Sequence, residues 1–219
     1  MTIVVANLLA LKIWDFCGTP VDGGIFLFPL TYLLGDMLCE LFDKPIADLV
    51  AIVSALGGGL TVVFLRLILL LPDHYLVDNS AYAVLVEACG IVMIASVVSF
   101  LVGQLLNNAV FHWIRDHFEL HRARLERLLG PKLTKLLAYP SRSLGSSLPA
   151  HLVDALVFEV LAFYGRLPFT AFLQQVVFAF IAGVIVEAGL WSVNAWLIGR
   201  LATSLHYRHG QAWPTPSTD

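Results

Sequence analysis

Two carboxylates lie one helical turn apart in a run that otherwise has the composition of a membrane span. Asp36 and Glu40 fall within the apolar stretch 25–42, and four residues of separation place both side chains on one face of a helix. A carboxylate near the middle of a bilayer costs about 2.5–3.5 kcal/mol on insertion scales. Ionisable groups at that depth generally mark functional sites, so the pair predicts a polar site inside a membrane protein.

Helical spacing predicts two further polar stripes on other segments. They are Gln104, Asn107 and Asn108 on one segment and Ser147, His151 and Asp154 on another. Three stripes on three helices predict a single central cavity, whose carboxylates could accept two parallel N–H bonds from a flat, nitrogen-rich solute. His151 and Asp154, three residues apart, could form a proton relay or a neutral hydrogen-bonded strut, and the sequence leaves both readings open.

The sequence offers little for catalysis or metal binding. It lacks the H-E-x-x-H spacing of a zinc site, the G-x-S-x-G turn of a serine hydrolase and the phosphate loop of an ATPase. The three cysteines are far apart and form no C-x-x-C pair. We therefore expect no cofactor, no metal and no enzyme activity; an intramembrane enzyme using His151 and Asp154 is the least favoured reading.

Composition places the chain in a membrane. Hydrophobic residues make up 58% of its 219 residues and charged residues 13%, against about 25% charged residues in soluble domains. Long continuous apolar segments predict helices rather than a β-barrel, and the length suits about six spans. We expect one all-α transmembrane domain over residues 1–210 and a disordered polar tail over 211–219. The predicted segments are 1–16, 25–42, 45–71, 81–114, 144–164 and 169–205.

Basic residues give the expected orientation. With the N-terminus in the cytoplasm, the inside connections are those near Lys44, the stretch 117–143 and the C-terminal tail, and these regions hold most of the lysines and arginines. The outside connections hold only Arg166. We therefore predict a multi-pass protein of the cytoplasmic membrane with both termini inside. The basic stretch 117–143 also carries acidic residues, so we interpret it as a topology determinant and expect no nucleic-acid partner.

Four stretches together resemble the queuosine precursor transporter family, also described as the vitamin uptake transporter family. They are ANLLALK (6–12), FLFPLTYLLGDMLCELF (26–42), FLVGQLLNNAVF (100–111) and SSLPAHLVDALVF (146–158), the last followed by AFYG (162–165). The resemblance implies a six-helix inner-membrane transporter of 7-cyano- or 7-aminomethyl-7-deazaguanine. By that resemblance Asn7, Asp36, Glu40, Gln104 and Asp154 are candidate substrate contacts.

The chain departs from the family pattern at several positions. It has Asn107 where the family commonly has Asp, and His151 where the family has Gln. The arginine usual after the second helix and the lysine usual in the last helix are absent. These changes point to a different substrate or a divergent subgroup.

The sequence as a whole favours a transporter for a small heterocycle, with a queuosine precursor as its expected substrate. The expected site residues are Asn7, Asp36, Glu40, Gln104, Asn107, His151 and Asp154. Glu40 could instead form a gate or pair with Lys44. Coupling to a proton, use of a separate energy-coupling module and a homo-oligomeric state all stay open. The alternatives are a substrate-binding subunit of an energy-coupled importer and a non-transport scaffold whose polar stripes only pack helices.

Overall fold

Among the residues that the structure describes, four long helices follow one short β-hairpin. A computed structural model describes residues 5–6, 9, 12–16, 19–73, 78–165 and 168–204. Strand β1 (Ile13–Phe16) pairs antiparallel with β2 (Thr19–Asp22), and a 3-10 turn (Gly23–Phe26) follows. The helices are α1 (Phe28–Ile68), α2 (Ser80–Leu129), α3 (Pro131–Phe163) and α4 (Phe169–Ser204).

Four segments of the described chain are long and apolar enough to cross a membrane, which does not support the predicted count of six. They are Gly23–Ile68, Ser80–Leu129, Pro131–Phe163 and Phe169–Leu201. The predicted second and third segments both lie within α1, one on each side of Asp43. The predicted first segment, 1–16, lies largely outside the described residues, and its last four residues form β1 rather than helix.

Helix α1 is a hairpin of two legs, 28–42 and 44–68. Asp43 has φ 66° and ψ 167°, which breaks the helical path, and Pro45 falls in the first turn of the second leg, where proline is tolerated. Phe28 packs against the cluster of Ala55 and Phe100. A straight helix would hold Phe28 and Ala55 about 40 Å apart, so the legs are antiparallel and the predicted break near Lys44 is confirmed.

The predicted connection 117–143 is helical. Helix α2 continues to Leu129, well past the predicted end at residue 114, and α3 begins at Pro131 rather than at 144. At 1.5 Å per residue the 50 residues of α2 span about 75 Å, more than twice the roughly 30 Å of hydrocarbon. Gly130, at φ 80°, joins the two helices, and the hydroxyl of Thr134 donates to its carbonyl at 2.9 Å. The end of α2 and the start of α3 therefore form a helical hairpin that extends beyond the spans.

Contacts between the helices place the connections at two opposite ends of the bundle. Arg115 on α2 reaches Asp43 at the tip of the α1 hairpin, so that tip lies on the same side as Gly130. Tyr82, near the start of α2, donates to the carbonyl of Leu65 at 3.4 Å, which places the α1–α2 connection at the other end.

Lipid-facing surfaces are apolar; Leu56 and Phe64, for example, are 62% and 61% exposed.

Single-cysteine labelling checks the α1 hairpin. In a background without native cysteines, we expect Lys44→Cys and Arg127→Cys to react with an impermeant maleimide from one side of the membrane and Asp73→Cys from the other. The reason is that the tip near Asp43 lies beside Arg115, at the end of the bundle that carries Gly130. A continuous α1 without reversal would place Lys44 within the bilayer, and failure of Lys44→Cys to label from either side would contradict the hairpin.

Candidate functional site

Asp36 is the centre of a buried polar network formed by three helices. Its Oδ1 accepts a hydrogen bond from Asn107 Nδ2 on α2 at 2.6 Å, and its Oδ2 accepts one from the hydroxyl of Ser143 on α3 at 2.5 Å. Asp36, Asn107 and Ser143 have no exposed surface. The predicted convergence of Asp36 with the α2 stripe is confirmed, and the hydrogen bonds offset part of the cost of burying the carboxylate.

Glu187 on α4 extends this network towards His151. Its Oε1 accepts a hydrogen bond from Ser147 at 2.5 Å and also lies 3.4 Å from the hydroxyl of Ser143. Its Oε2 lies 2.8 Å from His151 Nε2. The structure thus pairs His151 with Glu187, whereas the sequence suggested Asp154 as its partner.

Glu187 and Ser143 are the residues of this network that sequence reasoning missed. A single glutamate on α4 is equally typical of a residue that only holds helices together by interhelical hydrogen bonds, so the sequence does not mark Glu187 as a site residue. Ser143, Ser147 and His151 recur every four residues and therefore share one face of α3. Extending the Ser147–His151 stripe by one turn towards the N-terminus would have found Ser143.

Two buried or half-buried ion pairs lie beside the network on the side of the α1 tip. Arg142 donates to Glu40 Oε1 at 2.9 Å, with both side chains at least nine-tenths buried. Arg115 donates to Asp43 Oδ1 at 2.5 Å. The predicted pairing of Glu40 with Lys44 is wrong: Glu40 pairs with Arg142. These pairs tie the α1 tip to α2 and α3.

Gln104 donates its hydrogen bond to Asn108, whereas Asn107 bonds Asp36. Its Nε2 donates to Asn108 Oδ1 at 3.0 Å, and Asn108 Nδ2 donates to Asp48 Oδ1 at 3.0 Å. Gly35 lies so close to Gln104 that a Cβ there would come within 1.8 Å of the amide nitrogen. The α2 stripe therefore divides between the two legs of α1.

Asp154 lines a small cavity next to this network. The cavity has a volume of about 50 Å³ and its polar lining residues are Ser99, His151 and Asp154. The rings of Phe28 and Phe158 also line it. Among the described residues, Oδ1 of Asp154 has no hydrogen-bond partner although it is buried. A carboxylate oxygen with unused acceptor capacity at a cavity can bind an N–H or O–H donor from a solute.

The cavity and the network meet at two aromatic residues. The rings of Tyr32 and His151 have centroids 4.4 Å apart. Tyr32 is fully buried, and the carboxylates that act on its hydroxyl are those of Asp154 and Glu187. At Gly103, an added Cβ would meet that hydroxyl at 2.2 Å and the Cβ of Asp154 at 3.1 Å. Tyr32, His151 and Asp154 thus form one continuous patch.

The remaining predictions about the site concern Asn7 and metals. Asn7 lies outside the described residues. In the part of the chain that the structure describes, no three His, Cys, Asp or Glu side chains are grouped as a metal site.

A comparison with protein families gives one match. The sequence model of the family described as "Putative vitamin uptake transporter" matches residues 22–197, which include every residue of the network and of the cavity lining named above. No curated protein and no solved structure matches the chain.

Removing one partner of the Glu40–Arg142 pair is expected to destabilise the protein. Arg142→Met leaves the buried Glu40 carboxylate without its cation, which should lower the free energy of unfolding by about 3–5 kcal/mol. The double variant Glu40→Leu with Arg142→Met should recover much of that loss. Thermal denaturation of the detergent-solubilised protein measures the stability of the single and the double variant. The matched control is Arg122→Met, which breaks an exposed pair with Glu126 and should leave the unfolding temperature unchanged. Equal effects of Arg142→Met and Arg122→Met would contradict the assignment.

Proposed function

The chain belongs to the vitamin uptake transporter family, and on that basis we propose that it imports a small nitrogen heterocycle through the bundle of α1 to α4. The observation that carries the proposal is the unpartnered, buried carboxylate oxygen of Asp154 at a cavity between apolar helices. Because the Asp154 carboxylate lines the cavity, a solute can reach it there, which favours a binding site over a scaffold whose polar groups only pack helices.

We propose a queuosine precursor, 7-cyano- or 7-aminomethyl-7-deazaguanine, as the substrate. A guanine-like edge presents two adjacent N–H donors, and a carboxylate accepts such a pair as it does from arginine. Asp154 supplies this acceptor, and the rings of Phe28 and Phe158 at the same cavity suit a flat base. The four motifs that resemble the queuosine precursor transporter family support this substrate within the same family.

The proposed residue roles follow from what each side chain already contacts. Asp154 and His151 line the cavity and are the proposed direct contacts to the base. Asp36 and Asn107 bond each other and are proposed to hold α1 and α2 in register around the site. The list of proposed site residues is Asn7, Asp36, Glu40, Gln104, Asn107, His151 and Asp154.

Glu40 and Gln104 are proposed to act at the edges of the site. Glu40 bonds Arg142 and is proposed to close the end of the site at the α1 tip. Gln104, whose Oε1 lacks a partner among the described residues, is proposed to complete the pocket when the helices separate.

The conformation described here is a closed one with respect to a base. A cavity of about 50 Å³ has room for one or two water molecules, at about 30 Å³ each, whereas ligand pockets typically measure about 300–1,000 Å³. Uptake therefore requires the helices around Asp154 to separate. Breaking the ion pairs Glu40–Arg142 and Asp43–Arg115 would free the α1 tip for such a movement.

We propose that the membrane is the cytoplasmic membrane and that the side carrying Gly130 faces the cytoplasm. Basic residues cluster at that end of the bundle, as cytoplasmic connections do. They are Lys44, Arg115, Arg122, Arg124, Arg127, Lys132, Lys135, Arg142 and Arg200. The two legs of α1 with α2, α3 and α4 provide five crossings, and with this orientation the end of α4 lies in the cytoplasm.

Ligand stabilisation tests the substrate and the site together. At a concentration about 100-fold above the dissociation constant, a ligand of the folded state stabilises it by about 2.7 kcal/mol. We expect 7-cyano-7-deazaguanine to raise the unfolding temperature of the wild type and not that of Asp154→Asn, which replaces an acceptor oxygen with a donor. Asp116→Asn, an exposed carboxylate on α2, is the matched control and should behave as wild type. Full stabilisation of Asp154→Asn would contradict the assignment.

Uptake in cells decides between a stand-alone transporter and a subunit of an energy-coupled importer. In cells that lack any energy-coupling ATPase module, we expect the chain alone to accumulate radiolabelled 7-cyano-7-deazaguanine. Cells expressing Asp154→Asn at the same level should accumulate none above background. Uptake that appears only when such a module is supplied would show that the chain is the binding subunit instead.

A further inference from the structure

Two serine hydroxyls, those of Ser143 and Ser147, lie between the carboxyl groups of Asp36 and Glu187. They cannot donate to every nearby acceptor oxygen when both carboxyl groups are ionised. Ser143 lies 2.5 Å from Asp36 Oδ2 and 3.4 Å from Glu187 Oε1. Ser147 lies 2.5 Å from Glu187 Oε1, 3.3 Å from Asn107 Oδ1 and 2.9 Å from the carbonyl of Ser143. A hydroxyl donates one proton, so two protons serve five oxygen–oxygen contacts. An additional proton on a carboxyl group of this network supplies a missing donor.

The surroundings of Glu187 contain more acids than bases. Its direct titratable neighbours are Tyr32 and Asp36 on α1 and Tyr139 and His151 on α3. Glu40 and Asp154 lie beside Asp36 and His151. Helix α2 contributes the neutral amide of Asn107. Arg142 is already paired with Glu40. Two carboxyl groups that share one hydroxyl disfavour simultaneous ionisation, because like charges repel in a low-dielectric interior.

His151 connects this network to the proposed substrate cavity. Its Nε2 lies 2.8 Å from Glu187 Oε2, and its ring lines the cavity together with Asp154. Gly183, which also lines the cavity, lies beside the other ring nitrogen, since an added Cβ there would come within 3.0 Å of Nδ1. The imidazole therefore touches the buried acid with one nitrogen while its ring faces the cavity.

We propose that Glu187 is the proton-carrying residue of this transporter and that His151 passes the proton between Glu187 and the cavity. The proposal rests on the proposed transport function and adds its driving force, an inward proton gradient. In the transfer, the O–H bond of the Glu187 carboxyl breaks and an N–H bond forms at Nε2 of His151. The imidazolium then releases a proton from Nδ1 to the cavity, and the reverse sequence reloads Glu187. No electron moves and the proton is the only co-reactant.

Infrared spectroscopy tests the proton site without any substrate. The acid-minus-alkaline difference spectrum of the purified wild type should contain a C=O stretch of a protonated carboxyl group, and Glu187→Gln should lose it. Glu126→Gln is the matched control, because Glu126 is a partly exposed glutamate paired with Arg122 on α2. An unchanged carboxyl band in Glu187→Gln would overturn the proposal.

Transport in liposomes tests the coupling. With the membrane potential clamped, a tenfold inward proton gradient and one-to-one coupling should raise accumulation of radiolabelled 7-cyano-7-deazaguanine about tenfold, since equal free energies give equal concentration ratios. Glu187→Gln should lose this response, whereas Glu126→Gln, which changes a partly exposed glutamate paired with Arg122, should respond as the wild type does. Equal stimulation of wild type and Glu187→Gln would overturn the proposal.

The infrared and liposome experiments together distinguish failure of the proton-coupling proposal from failure of the proposed transport function. A wild type that binds and transports the deazaguanine without any response to the gradient overturns proton coupling and leaves the transport function standing. A wild type that shows the Glu187-dependent carboxyl band but does not bind the deazaguanine overturns the proposed substrate and supports the proton site. If Glu187→Gln does not fold, Ser147→Ala, which removes the hydroxyl 2.5 Å from Glu187 Oε1, should shift the carboxyl band, and an unshifted band would count against the proposal.

Discussion

Burial of Asp36 among apolar helices is the constraint on which the rest of the bundle depends. A carboxyl group in a bilayer must be hydrogen-bonded, and Asp36 obtains its donors from Asn107 on α2 and Ser143 on α3. These two bonds fix how the first leg of α1 sits against both helices. Glu187 joins from α4 through the same serine face, so the polar centre sets the relative positions of all four helices.

The α1 hairpin places both of its legs against α2. Because α1 reverses at Asp43, Asp36 on the first leg and Asp48 on the second both face α2, where they bond the adjacent residues Asn107 and Asn108. Arg115 then holds the tip itself. One helix of unusual length, α2, thereby acts as the common support for both legs and for the extended hairpin with α3. Such an arrangement concentrates the polar contacts at one end of the bundle and leaves the cavity at Asp154 nearer the other.

Much of this could be read from the sequence, and the parts that could not have physical reasons. Helical spacing predicted that Asp36, Asn107 and His151 would face a common interior. A polar side chain in an apolar segment avoids lipid, so it faces the other helices of the bundle. The partner of His151 could not be predicted, because Asp154 on the same helix and Glu187 on another satisfy the same chemistry, and only the packing of α4 against α3 decides between them. The lengths of α2 and α3 were missed because charged residues over 117–143 are typical of both a loop and an exposed helix. Asp43 could not be recognised as the turning residue, since a positive φ at a single aspartate leaves no periodic signal.

The proposal on which the proposed function depends is that the substrate binds at the cavity beside Asp154. A structure of the protein bound to 7-cyano-7-deazaguanine tests it most directly. The account predicts density for the base between Phe28 and Phe158, with its N–H edge at the carboxylate of Asp154 and the cavity widened from its present volume. Density at any place that leaves Asp154 and His151 without contact to the base would contradict it.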